Sequence, residues 1–341
     1  MNETDLQDAI LRHSLQILRL SANEQAEVEQ ILADLEAELK QLLQSQNLSE
    51  VSKRDLQGII NDAEKLIDPA FRAAASTTDF RELVVIVAEH SAELVGGPMP
   101  SDTVIDSLAK DVIVDGSPAA DWWARQGDDL AFKFAGQVRQ GVLNGETNER
   151  IVGRIVGRRG EPGIMELIRR NARSLVATSV MTAANEARLA TFRKSSRFIA
   201  GVRWLATLDG HTCPRCMALD GQAWDLDGNK LPGTKVDFMA PPIHFNDRCV
   251  LPPIPKASAA FAGIDAALAK TATRASSEGP VKASTTFNEF LSRQSDTFVE
   301  NTLGKERAAL FRAGKITVRD LISGTGRELT LKELSSNRGP Q

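Results

Sequence analysis

Apolar positions recur at helical spacing along the first half of the chain. Ser21-Ala-Asn-Glu24 has the form of a capping box, with the Ser oxygen accepting from a first-turn N–H while Glu24 reaches back. Behind it, Val28, Leu32, Leu35, Leu39 and Leu42 step by four and three, so one face of a helix ending near Asn47 is apolar. A second helix is predicted from Lys53 to Leu66, stopped by Asp68-Pro69, and a third from Asp79 to Val95, stopped by Gly96-Gly97-Pro98. Short helical pieces and turns fill 101–124. Two adjacent Trp residues, Trp122 and Trp123, point about 100° apart there, one into the core and one to its edge. Helices over Asp128–Leu143 and Asn148–Val156 follow, the second capped by Thr147. Glu161-Pro162-Gly163 then opens the longest helix, running to Lys194, with Ile168, Ala172, Leu175, Ser179 and Ala183 as its inward stripe.

After that helix the period changes from helical to alternating. Val202, Trp204, Ala206 and Leu208 alternate as a half-buried strand does. Turn signals at Asp209-Gly210, Asp220-Gly221 and Asp227-Gly228, with Gln222-Ala-Trp224 as a return strand, predict a small β-meander whose first turn holds Cys213-Pro-Arg-Cys216. Residues 256–285 read as a tether. Phe287, Phe290, Leu291 and Phe298 then mark a helix with an aromatic face, followed by a second helix ending at Gly314-Lys315. The expected class is mainly α. A helical body (1–197) leads to a small β-meander (198–255) of α+β character, the tether (256–285) and a short helical closing module (286–341).

Charge changes this picture locally. Lys and Arg number 41 against 45 Asp and Glu, which removes a whole-molecule argument for polyanion binding. Yet residues 1–60 carry a net charge of −6 and residues 150–200 a net +8. The basic stretch suits either the solvated face of a long helix or a local contact with nucleic acid or an acidic partner. Neither a secretory leader nor a bilayer-spanning segment is expected, since the longest strongly apolar run is only Leu83–Ala88.

All three cysteines lie between Trp204 and Pro253. Cys213-Pro-Arg-Cys216 and His244-x4-Cys249 are two ligand pairs beside turns, and together they can supply four ligands to one tetrahedral zinc ion. Such a metal would be closed by protein and structural, tying both ends of a loop to a sheet too small to stand alone. Three other chemistries compete with a structural metal. A redox dithiol is disfavoured because the pair sits between Asp-Gly turns. A zinc deaminase needs a Glu that His211-Thr-Cys213 lacks. A metal-dependent nuclease using His211, His244, Asp209 or Asp247 has no strong signature but is the runner-up function. His211 is a spare ligand, while His13 and His90 read as ordinary residues of helical segments.

In their order, several pieces of the chain resemble the phage minor head proteins, the Mu-F-like head morphogenesis family. They are Thr178-Ser-Val-Met-Thr-Ala-Ala-Asn185-Glu-Ala-Arg188, Trp204-Leu-Ala-Thr-Leu-Asp209, Thr212-Cys-Pro-Arg-Cys216, Leu219-Asp-Gly221 and Pro241-Pro-Ile-His244-Phe-Asn-Asp-Arg248-Cys249. Phe290-Leu-Ser-Arg-Gln294, Leu303-Gly-Lys-Glu-Arg307, Leu310-Phe-Arg-Ala-Gly-Lys315 and Leu329-Thr-Leu-Lys-Glu-Leu334 extend the resemblance over roughly residues 140–335. One departure concerns the site. Members often read H-x-N-C-R-C where this chain has Asp247 in place of the first Cys, so either Asp247 supplies an oxygen or Cys249 completes the set. The resemblance implies a non-enzymatic virion protein of a tailed phage or prophage. It would associate with portal, scaffold or major capsid protein, and the stretch 150–200 could contact phage DNA.

Overall fold

The structure, a computed structural model, describes residues 3–48, 51–158, 160–256 and 273–336. The described residues are mainly helical, with three small antiparallel sheets among them, the first pairing β1 (Ile113–Val114) with β2 (Ser117–Pro118). It divides into two compact units, one of residues 18–80 and 110–182, the other of 1–17, 81–109 and 183–341.

The N-terminal helix is longer than expected. α1 runs unbroken from Glu3 to Gln44, and Ser21 sits inside it, buried, its Oγ donating to Leu18 O at 2.8 Å. The apolar stripe begins at Leu6, Ile10 and Ile17, with His13 and Ser14 occupying buried positions between them. Those polar residues disguise the first turns, which is why Ser21 reads as a start. Leu43 takes the buried position assigned to Leu42.

In the first unit, α2 (Lys53–Ala75) continues through Pro69. A mid-helix proline costs about 3 kcal/mol. The residues beyond it offset that by burial, because Phe71 and Ala74 are 3% and 2% exposed. Phe71 meets Trp123 of α5 (Ala119–Leu143) at 6.4 Å between ring centroids, and it lies against Gly127, where a Cβ would come within 3.3 Å of the ring. Trp123 is in the core, while Trp122 stands at its edge, its Nε1 donating to Val114 O at 2.7 Å. α5 therefore starts nine residues earlier than the expected helix. After α6 (Asn148–Val156), α7 runs from Ile164 to Lys194 as expected. In its first half, Arg169 bonds Glu36 at 2.6 Å and Arg173 bonds Glu29 at 2.7 Å, both on α1. Part of the basic excess of 150–200 thus answers the acidic excess of the chain's own first helix.

The second unit contains α3 (Phe80–Val95), the end of α7 and the cysteine-bearing segment. β3 (Ile199–Arg203) is the centre of a three-stranded antiparallel sheet between β4 (Ala223–Trp224) and β5 (Pro253–Pro255). β5 is an edge strand, where proline's missing donor is tolerated. The strands approach closely at Gly201, where a Cβ would lie 2.1 Å from Trp224 O. Trp204 and Trp224 are fully buried on this sheet. Cys213-Pro-Arg-Cys216 is not in a β-turn: it opens the short helix α8 (Pro214–Leu219), with Cys213 as the N-cap and Pro214 in the first helical position. Proline's fixed φ suits that position, and Cys213 Sγ accepts from Cys216 N as a capping side chain does.

Of the tether expected over 256–285, residues 257–272 lie outside the described residues. Residues 273–282 differ from it: they form a hairpin, β6 (Thr273–Ser276) against β7 (Gly279–Lys282). Three short helices follow, Phe287–Ser292, Asp296–Leu303 and Lys305–Arg312. The aromatic face spans two of them, with Phe290 edge-on to Phe287 at 5.7 Å and to Phe298 at 6.0 Å. No helix of the described residues is long and apolar enough to cross a membrane.

Candidate metal centre

Two loops converge on the start of α8. His244 Nε2 lies 3.1 Å from Cys213 Sγ and 3.2 Å from Cys216 Sγ. Its Nδ1 is 2.8 Å from Phe245 O. Donation to that carbonyl fixes the ring so that Nε2 faces the sulfurs, the arrangement that outer-shell partners impose on metal-binding histidines. The ligand atoms of Cys213, Cys216 and His244 lie within 4.8 Å of one another, as do those of Cys216, Asp247 and Cys249. Cys216 belongs to both groups and is their centre. Among the described residues His211 joins neither group: it is exposed, at the rim of the same site.

Asp247 shapes the second loop. It is 3% exposed, its Oδ1 accepts from Cys249 N at 2.9 Å, and its Oδ2 accepts from Ile243 N at 3.0 Å. Both carboxylate oxygens therefore fold the turn that presents His244 and Cys249. Asp247 is thus a turn-building acid within ligand range of two thiols.

The thiols differ in character. Cys213 is pulled down to about 5, first by its hydrogen bond with the Cys216 thiol, against the effect of burial, with His244 adding to the shift. His244 is pushed up to about 9, chiefly by its hydrogen bond with Cys213. Cys216 is raised because it shares its proton with Cys213 and Cys249, and burial pushes Cys249 up to about 12. Cys213 is thus the thiolate of the set, and a metal would displace protons from Cys216, from Cys249 and from Nε2 of His244.

The donor set fits a soft or borderline ion. Zinc–sulfur bonds of about 2.3 Å and zinc–nitrogen bonds of about 2.0 Å place S and N ligands of a tetrahedron roughly 3.5 Å apart, close to the observed separations. The void among these residues has a volume of about 10 Å³, the scale of a single small particle. The cluster can therefore hold a metal ion.

Outside it, an ion pair clamps the two loops. Arg248 Nη1 and Nη2 bond Asp209 Oδ2 and Oδ1 at 2.8 and 2.9 Å, and Asp209 also accepts from the backbone of His211 and Thr212. Burial works against the ionised form of Asp209, but the bonds and charge of Arg248 outweigh it and hold the carboxyl below its usual range. A carboxyl depressed on folding stabilises fully above its unfolded value of about 4, and that contribution is lost as pH falls through the lower folded value. Because this bidentate pair is partly shielded, an Asp209→Asn, Arg248→Met double-mutant cycle at neutral pH should give a coupling of about 1–2 kcal/mol. Coupling near zero in thermal unfolding would show that the clamp is only a surface contact.

Behind the centre, α7 braces the second loop. Asn185 Nδ2 donates to Cys249 O at 3.2 Å and its Oδ1 accepts from Arg188 Nη1 at 3.1 Å. Arg188 is 1% exposed. His13 and His90 are not isolated residues of helical segments, for their rings stack at 3.8 Å, and burial, His90 and Arg188 lower His13 to about 3. Residue spacing alone gave no sign of this cluster.

Residues 133–252 match the family described as Phage Mu protein F like protein. The chain carries a Mu-F-like domain. The match encloses α6, α7, β3, α8, β4 and all of Cys213, Cys216, His244 and Cys249, and it points to a phage head-related protein. No curated protein and no solved structure matches the chain. The Mu-F-like segment ends just before β5, so the edge strand of its sheet and the hairpin beyond come from outside the matched residues.

Proposed function

We propose that the protein is a minor head protein of a tailed phage or prophage, located in the virion at the portal vertex and assembled in the host cytoplasm. It associates with portal protein, and with scaffold or major capsid protein, in head morphogenesis and in DNA packaging or delivery. It turns over no substrate. Cys213, Cys216, His244 and Cys249 hold a structural zinc ion. The match over 133–252, which encloses the whole Cys/His centre, carries this reading. Four protein ligands would leave no open position for water or substrate, as suits an assembly role. Asp209, which a nuclease would need to present to a catalytic ion, is instead bound to Arg248.

The portal association has a direct test in particles. The full chain should be present in purified procapsids that contain portal and absent from those assembled without it, as read by immunodetection. Equal amounts in both would remove the portal assignment.

A DNA contact is the second reading. Lys133, Arg150, Arg154 and Arg158 line a cleft beside the start of α7. Such a contact requires binding that weakens steeply with salt, because phosphate contacts release counter-ions.

A further inference from the structure

Helix α5 carries a face that its unit leaves uncovered. Phe132 is 80% exposed and Leu143 is 84% exposed. Asp128, Phe132, Gly136, Arg139 and Leu143 recur at three- and four-residue steps, so they share one side of the helix. Beside this side, α2 and α5 line a groove of about 830 Å³, walled by Ile67 and Phe71 from α2 and by Ala131 and Ala135 from α5. A large exposed aromatic beside an apolar groove on the same surface is unusual on a protein that works alone.

The charges say what covers it. Asp129 is bound to Lys133 at 2.6 Å, and on the facing helix Asp68 is bound to Arg72 at 2.5 Å. Asp128 and Arg139 form no salt bridge among the described residues, and Arg139 donates only to Gln57 at 3.2 Å. They stand about 16 Å apart along the helix by its rise. One end of the face is therefore acidic and the other basic.

We infer that this face is a self-association surface, on which two copies of the chain pair α5 against α5, antiparallel, about a two-fold axis between Phe132 and Ala135. A two-fold contact must be self-complementary, and this face is. In the register that sets Arg139 of each copy against Asp128 of the other, Phe132 falls opposite Ala135 and Leu143 opposite Ala124. Gly136 falls opposite Ala131, and nothing lies within 4 Å of where its Cβ would be, so a second helix can approach closely. Large residues meet small ones and positive meets negative about one point. A parallel pairing would set like charges together, which costs several kcal/mol. Each Phe132 then enters the groove of the other copy as the anchor of the interface.

Sedimentation equilibrium of the full chain over a range of concentrations tests this. The wild-type chain should move from monomer to dimer as concentration rises. Phe132→Asp should remain monomeric with an unchanged circular dichroism spectrum. Asp128→Arg and Arg139→Asp should each raise the dissociation constant at least about tenfold, because each places two like-charge pairs across the axis. The double variant, with both charges exchanged, should return to within a few-fold of wild type. A wild-type chain that stays monomeric throughout overturns the inference, as does a folded double variant that dimerises no better than the single ones.

Discussion

Asp220→Ala is expected to cost the second unit about 3–5 kcal/mol, because it removes one partner from a fully buried ion pair and leaves the other charge stranded. Asp220 and Arg274 have side chains only 3% and 4% exposed. Arg274 Nη2 bonds Asp220 Oδ1 at 2.6 Å and Nη1 bonds Oδ2 at 3.1 Å. The same carboxylate accepts from Ala206 N at 3.0 Å and from Phe287 N at 2.8 Å. Arg274 also donates to Ala206 O and to Thr285 O. One acid and one base thereby join the segment that follows β3, the end of α8, the β6–β7 hairpin and the first helix of the closing segment. Thermal unfolding followed by circular dichroism, with limited proteolysis of residues 273–336, reads the effect. Asp220→Asn should be milder, since an amide oxygen still accepts from the backbone. An apolar pair, Asp220→Leu with Arg274→Met, should lose less than Asp220→Ala alone, because neither charge is then buried without its partner. A melting point for Asp220→Ala within a degree of wild type would show that the hub holds nothing together.

The hub also shows where reading the sequence stops. Asp220-Gly221 looks like an ordinary turn signal, and Arg274 falls in a stretch whose Ala, Ser, Thr and Lys content reads as a tether. Their partnership spans 54 residues, and no local period encodes it. The helices were legible because apolar spacing is local. They failed where polar residues occupy buried positions, as His13 and Ser14 do in α1, or where packing overrides a breaker, as Phe71 does beyond Pro69. The residues that converge around Cys216 stand out in the sequence because Cys and His are rare and closely spaced. Cys213-Pro-Arg-Cys216 was still assigned to the wrong element, since alternation on one side and an Asp-Gly on the other suggested a β-turn, while proline after an N-cap favours a helix. Asp247 stood out only through the resemblance, and its bonds to Ile243 and Cys249 came from the fold.

Loss of the metal should be the other large effect, and the ligands should differ in rank. If zinc is held as proposed, the purified, reduced chain contains one zinc ion per molecule by elemental analysis, and a chelator strips it with a fall in melting temperature. Structural zinc is worth roughly 10–16 kcal/mol of apparent binding energy in zinc-finger peptides, which is comparable to the whole net stability of an ordinary domain. Cys216→Ser should abolish retention outright, because Cys216 lies in both ligand groups and is buried at their centre. Cys213→Ser and His244→Ala each remove a ligand from one group only, and Cys249→Ser removes the ligand that closes the shell. These three should weaken retention and lower the melting point, less than Cys216→Ser does. Asp247→Asn separates its two roles. The amide keeps one acceptor for the turn but cannot serve as an anionic ligand. Zinc retained in Asp247→Asn and lost in Cys249→Ser makes Cys249 the fourth ligand. The reverse result assigns that place to Asp247. Retention should also fall with acidification, since protons compete for the sulfurs and for His244. A freshly purified chain without zinc, whose stability is indifferent to chelator and to all four substitutions, would reduce the cluster to a packed group of thiols around a histidine.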